Sequence, residues 1–273
     1  KQDYGAIEQR DISGNGTLYY WSVPAPYLEV FPFENRIIGF DLTPNAAVTV
    51  NVNDTEYTAE TDDHGYFNIE VEELKADDTI LVNDGILVKE YPVSNLTINY
   101  VNRAEGLING KATLGDNILI QLIGPSQGYG PPNIVGEIEV GVTSEGSWGA
   151  EFEEPIADDL EIKVMQINDD GDRTAQTSTI ALETVNNASS DEEMKNGLEN
   201  NAEDLGLDLE SGYSGLTSDR QLSVANFILE HREMVIEGYF ASIGEVQAAF
   251  EAGVDYQSAI QAFANAVNSE AGL

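Results

Sequence analysis

The chain of 273 residues contains no cysteine, which excludes disulfides, thiolate metal sites and cysteine nucleophiles. Cations are scarce: 12 Lys+Arg stand against 49 Asp+Glu, a formal net charge of -37. Nucleic acid and anionic lipid are excluded as partners, because so few cations in such a field cannot displace counterions from phosphate. Histidine is limited to His64 and His231, and tryptophan to Trp21 and Trp148. No run reaches the roughly 18 apolar residues of a membrane span, so no membrane insertion is expected. The first residue is Lys1 rather than Met, which fits a processed or trimmed start.

What is present suffices for packed cores. Hydrophobic residues make up 41% of the chain, with 12 Tyr and 9 Phe among them. From residue 27 to about 182 apolar residues alternate, as at Val48, Val50 and Val52 or Ile118, Ile120 and Leu122. Gly, Pro, Asn and Asp punctuate this stretch every eight to twelve residues, the signature of short antiparallel strands in sandwiches. After Asn187 the period changes to about 3.6 and alanine rises, so residues 186–190 read as a linker.

An internal repeat lies within the strand-rich region. Residues 43–52 (TPNAAVTVNV) align with 113–122 (TLGDNILIQL), and 65–71 (GYFNIEV) with 146–152 (GSWGAEF). Asp77 and Asp78 align with Asp158 and Asp159, after an insertion around residues 127–132 (QGYGPP) in the second copy. Each copy has a glycine (Gly65, Gly146) that supplies the positive φ of a tight return, and an aromatic (Phe67, Trp148) that re-enters the core two residues later. This pattern resembles the bacterial immunoglobulin-like repeats strung along adhesins and other cell-surface proteins. The resemblance implies a multidomain chain: an extended segment over 1–26, immunoglobulin-like antiparallel β-sandwiches over 27–98 and 99–185, and a small all-α bundle over 190–273.

The region 190–268 reads as four short helices. Ser190 with Glu193, Ser218 with Gln221 and Ser242 with Glu245 have capping-box spacing, and Asp255 is placed to cap the last helix. Tyr256, Ile260, Phe263 and Val267 form one apolar stripe, expected to face a bundle core. The stretches 194–216, 224–232 and 239–250 resemble a helical module of Gram-positive surface-anchored and secreted proteins. That resemblance implies a non-catalytic spacer or interaction module.

Little in the sequence points to catalysis. The two histidines fall in different regions with no nucleophile beside them, and carboxylate pairs are too abundant to single out an acid-base couple. Calcium is the cofactor the oxygen-rich loops suit best, and Asn168, Asp169, Asp170 and Asp172 around Gly171 are the leading candidate ligands. The loop is not an EF-hand, because position twelve counted from Asn168 is Thr179 rather than Glu. Asp62 and Asp63 near Asn53 and Asp54 form a second candidate. Exposed aromatics that could stack on a glycan are Tyr66, Tyr129 and Tyr213.

These features predict a non-enzymatic extracellular protein of a bacterial surface layer, adhesin or matrix, whose partners are other protein subunits or surface glycans. The alternatives are a phage virion component, either head decoration or tail, and a carbohydrate-binding accessory module. Residues 17–23 (TLYYWSV), ahead of Pro24 and Pro26, read as an edge strand added either to the chain's own first sandwich or to a neighbouring subunit, the latter giving a homo-oligomer.

The charge balance generates a direct test. Self-repulsion should lower the melting temperature at about 0.01 M ionic strength, where the Debye length is about 30 Å, relative to about 0.15 M. A further rise in calcium over sodium at matched ionic strength is the result that loop 168–172 requires if it binds the ion.

Overall fold

The structure, a computed structural model, describes residues 4–10, 16–22, 25–125, 132–235 and 238–271. It is mostly β, with several sheets followed by four helices among the described residues. Strands β1 (Tyr4–Arg10) and β2 (Gly16–Ser22) pair antiparallel as a separate two-stranded sheet. Seven strands follow: β3 (Tyr27–Phe31), β4 (Arg36–Phe40), β5 (Ala47–Val52), β6 (Thr55–Glu60), β7 (Phe67–Glu70), β8 (Thr79–Asn83) and β9 (Val88–Pro92). Seven more repeat the order: β10 (Thr97–Asn102), β11 (Leu107–Lys111), β12 (Asn117–Gly124), β13 (Asn133–Val140), β14 (Ser147–Glu151), β15 (Glu161–Ile167) and β16 (Arg173–Ser178).

Both sets pair alike. In the first, β3-β4-β7 lie in one row and β6-β5-β8-β9 in another; in the second, β10-β11-β14 and β13-β12-β15-β16 do the same. The sequence repeat is therefore a repeat of topology. One additional pairing crosses between the sets: β16 runs parallel to β3, with Arg173 opposite Glu29 and Thr174 opposite Val30. The result is one seven-stranded sheet, β13-β12-β15-β16-β3-β4-β7.

The apolar alternation fills two separate clusters. Leu28, Val30 and Ile37 meet Val50, Ile80 and Val82 in the first, so its two rows face each other. Ile98 and Ile108 meet Ile120, Ile162 and Val164 in the second. Phe67 and Trp148 are buried in their respective clusters, and Trp148 Nε1 donates to Lys111 O at 3.0 Å. The preceding glycines have φ of 76° at Gly65 and 75° at Gly146. At Gly65 a Cβ would lie 2.1 Å from Leu42 O, so glycine is demanded there by space as well as by φ.

The helices depart from the expected boundaries. α1 (Ile180–Asn187) covers the start of the expected linker, so residues 186–190 do not separate a strand region from a helical one. α2 (Asp191–Asn200), α3 (Ser218–Val235) and α4 (Ile243–Ala271) follow. Ser190 Oγ accepts from Glu193 N–H and Ser242 Oγ from Glu245 N–H, as their spacing predicts. Each returning carboxylate takes the amide of the residue before the cap, Ser189 for Glu193 and Ala241 for Glu245. Ser218 is already inside α3, whose Arg220 and Gln221 amides donate to Thr217 O.

Two further expectations fail. Asp255 caps nothing, because α4 runs through it as one helix of 29 residues. Three of the four stripe residues are exposed rather than buried, Tyr256 at 56%, Phe263 at 72% and Val267 at 48%, while Ile260 is half-buried. The bundle core is instead filled from the N-terminal half of α4 by Val246, Ala249, Phe250 and Val254. The segment before Pro24 also differs, since β2 pairs with β1 and not with an edge of the first strand set.

Trp148→Ala and Phe67→Ala should each destabilise the fold by about 3–5 kcal/mol, the usual cost of truncating a buried aromatic. The two losses should add, because the side chains occupy separate clusters. Chemical denaturation of both single variants and the double variant checks this.

Candidate functional site

The most unusual local chemistry in the chain lies on and just before β16. Arg173, Ala175 and Thr177 alternate there with Asp172, Thr174, Gln176 and Ser178, and all four of these latter polar side chains are buried. A buried polar group without a partner is costly, so each must find one inside the protein. Each does so, and together they reach five elements.

Asp172 Oδ1 accepts from Leu28 N–H at 2.8 Å and faces Lys89 Nζ at 3.0 Å. Thr174 Oγ1 lies 2.8 Å from Tyr91 Oη and accepts from Ser94 N–H at 2.9 Å. Gln176 Oε1 accepts from Ile98 N–H at 2.7 Å, and its Nε2 donates to Ala241 O at 2.8 Å. Ser178 Oγ donates to Glu183 at 3.1 Å. One strand thus ties together β3, β9, β10, α1 and the start of α4.

Two arginines extend the joint. Arg103 forms a bidentate pair with Glu183 of α1 at 2.6 and 2.8 Å, and also donates to Ala157 O and Leu160 O. Arg232 of α3 donates to Val185 O, Asn186 O and Ala188 O, the carbonyls left open at the end of α1. Burial lowers the Arg232 pKa. Asn186 binds both the N–H and the C=O of Phe240, so a residue expected in a linker is a structural cross-tie.

The four candidate calcium ligands do not share one task. Asp172 is directed inward, and burial raises its pKa above the ordinary carboxylate value although the Leu28 N–H and Lys89 act to lower it. Asn168 Oδ1 accepts from the Asp170 and Asp172 amides and so closes its own turn. Asp170 is exposed, while Asn168 and Asp169 line a polar cleft of about 370 Å³ with Asp116, Asn117 and Glu139. Burial and then the charge of Asp169 raise the pKa of Asp116. Among the described residues no group of three or more His, Cys, Asp or Glu side chains is placed to hold a metal ion. In the second candidate, Asp62 accepts from the His64 and Tyr66 amides and Asn53 bonds to Asp78 and Thr79, so each serves a turn.

The remaining candidates are dispersed. His64 sits exposed at a hairpin tip beside Asp63, whereas His231 stacks on Phe227 in α3. Tyr66 is partly exposed; Tyr213 is buried against Phe250, with its hydroxyl on Glu199, and Tyr129 lies outside the described residues. An apolar cleft of about 300 Å³ lies between Phe31, Phe33 and Ala175 on the sheet side and Leu182 and Ile243 on the helical side. No described helix is long and apolar enough to cross a membrane.

No family model matches the chain, and no curated protein matches it. Among solved structures it is similar to a Ca2+-stabilised adhesin that helps an Antarctic bacterium reach out and bind ice, at 14% identity. That match covers 64% of this chain and 55% of the adhesin, with a TM-score of 0.20. Chicken CNTN1 FN1-FN3 domains match at 9% identity over 63% of this chain and 75% of theirs, with a TM-score of 0.21. The CD2-binding domain of CD58 matches at 8% identity over 56% of this chain and 96% of its own length, with a TM-score of 0.19. Likenesses this distant carry no argument about what the chain binds.

The joint gives two expected outcomes. Asp172→Ala leaves the Lys89 ammonium buried without its partner and should cost about 3–5 kcal/mol, whereas adding Lys89→Met should recover part of that loss. A double-mutant cycle by chemical denaturation reads both. The second outcome concerns acid. Burial acts to raise the pKa of Asp84, but hydrogen bonds from the Leu87, Thr43 and Ile86 amides outweigh it and hold it at about 2, below the ordinary 3.8. A carboxyl with a depressed folded pKa contributes stability above its unfolded value and loses it as pH falls toward the folded one. The stability gap between wild type and Asp84→Ala should therefore narrow from pH 3.8 toward about 2.

Proposed function

We propose that the chain is a non-enzymatic, extracellular structural or adhesive protein of a bacterial surface, in which two immunoglobulin-like sandwiches and a helical bundle are fused into one stiff spacer. The observation that carries this reading is the polar row of β16, whose buried partners lie in both strand sets and in the helical region. Modules joined by such a row resist bending where a flexible linker would yield, which suits a part that transmits or presents a contact at a distance. The surface charge supports the same reading, since an acidic, hydrated exterior keeps a crowded surface protein from sticking to anionic neighbours. Its partners are then other protein subunits or surface glycans, met through loops held at fixed angles.

Antibodies raised against the purified chain test the assignment on the producing cells. The expected result is labelling of intact cells, removed by brief external protease. Signal that appears only after lysis contradicts a surface role, and signal that travels with purified virus particles favours a virion component instead.

A further inference from the structure

The chain enters the two strand sets at β3 and leaves them at β16, and these two strands lie side by side in the seven-stranded sheet. They run parallel, with Arg173 opposite Glu29 and Thr174 opposite Val30. The residue before β3 and the residue after β16 are therefore at opposite ends of one strand pair. Strands β4 to β15, with the connection at 93–96 between the sets, all belong to the loop of chain that this pair closes.

Contacts across this seam are spread along its whole length. At one end Leu28 N–H donates to Asp172, and the Arg173 guanidinium lies 4.1 Å from the centre of the Tyr27 ring. In the middle Glu29 takes Lys163 Nζ at 2.5 Å and faces Arg173 Nε at 3.8 Å, while Phe31 and Ile38 pack with Met165 and Ala175. At the other end Thr177 Oγ1 donates to Glu34, in the turn after β3, at 3.3 Å. Glu29, Phe31, Ile38, Met165 and Ala175 are all buried, so breaking the seam exposes apolar surface and strips a buried carboxylate of its cations.

Tension drawn along the chain pulls β3 toward its N-terminus and β16 toward its C-terminus, so the two strands must slide past each other. Sliding loads every cross-contact at once, whereas prising the same strands apart from one end loads them one after another. We propose that the β3–β16 seam is a shear clamp: tension crosses directly from β3 to β16, and the connection at 93–96 stays unloaded until the seam yields. A pulled chain then meets one barrier where it enters and leaves the strand sets, in place of a weak point between them. The load path follows from strand order, and stands whether or not the chain proves to be a surface protein.

Single-molecule force spectroscopy of the full chain tests the clamp. Because the chain has no cysteine, a pair of introduced cysteines takes the two handles without competition. Ala25→Cys with Ile180→Cys pulls the strands in shear. Ala25→Cys with Asp170→Cys pulls them from one end, since the turn before β16 abuts Tyr27 through Gly171. The expected result is that the shear pair first yields at roughly twice the force of the peeling pair, or more, at one pulling rate. Arg173→Ala removes the contacts with Tyr27 and Glu29 and should lower the force of the shear pair, with bulk denaturation showing that both apolar clusters remain folded. Should that variant fail to fold, the two handle geometries decide alone. Equal forces in the two geometries overturn the proposal. So does a folded Arg173→Ala chain that yields in shear at the wild-type force.

Discussion

A strand with polar side chains on its buried face governs how the parts of this molecule are held. Asp172, Thr174, Gln176 and Ser178 succeed one another along the inner face of β16 and its approach. Buried polar groups are costly unless bonded, and each of these finds its partner within the protein. The partners come from β3, β9, the segment before β10, β10 itself, α1 and the start of α4. Moving any of these elements would leave a buried donor or acceptor unpaired. Their relative placement is therefore held by hydrogen-bond accounting together with the apolar contact of Phe31 and Ile38 with Met165 and Ala175.

This arrangement differs energetically from the apolar clusters it separates. Removing Asp172 and Lys89 from water costs much of what their attraction returns, and the raised pKa of Asp172 reflects that cost. The joint contributes geometry more than net stability: alternatives in which the strand sets swing apart are penalised, while the native arrangement gains little over an apolar substitute. Arg103 and Arg232 work similarly at the helical side, where guanidinium donors fill the carbonyls of α1 and of the turn before β15.

Much of the interior was legible in the sequence. The period-2 runs at Val48, Val50 and Val52 and at Ile118, Ile120 and Leu122 became inward faces, and the aligned Phe67 and Trp148 became core residues at equivalent places. The polar row of β16 was not legible for a physical reason. Alternating Asp, Thr, Gln and Ser resemble a solvent-facing strand, and periodicity reports spacing without saying which face is dry. Asp172 was accordingly read as a calcium ligand in a loop, whereas the fold directs it inward. The stripe on α4 failed in the opposite sense. Tyr256, Phe263 and Val267 have the spacing of a core face, but the helix outruns the bundle against which they were expected to pack.

The acidity of the chain makes such a joint consequential. A chain of this charge repels itself, and a flexible connection between its parts would let them drift to the largest separation the linker allowed. Buried side-chain bonds resist that drift. Residue-resolved amide hydrogen exchange measures this most directly at Leu28, Ser94 and Ile98, whose amides donate to Asp172, Thr174 and Gln176. Protection at these three equal to that of core amides in β12 and β15 is the predicted result. Exchange at the rate of exposed loops, with the cores still protected, would contradict a joint of this kind.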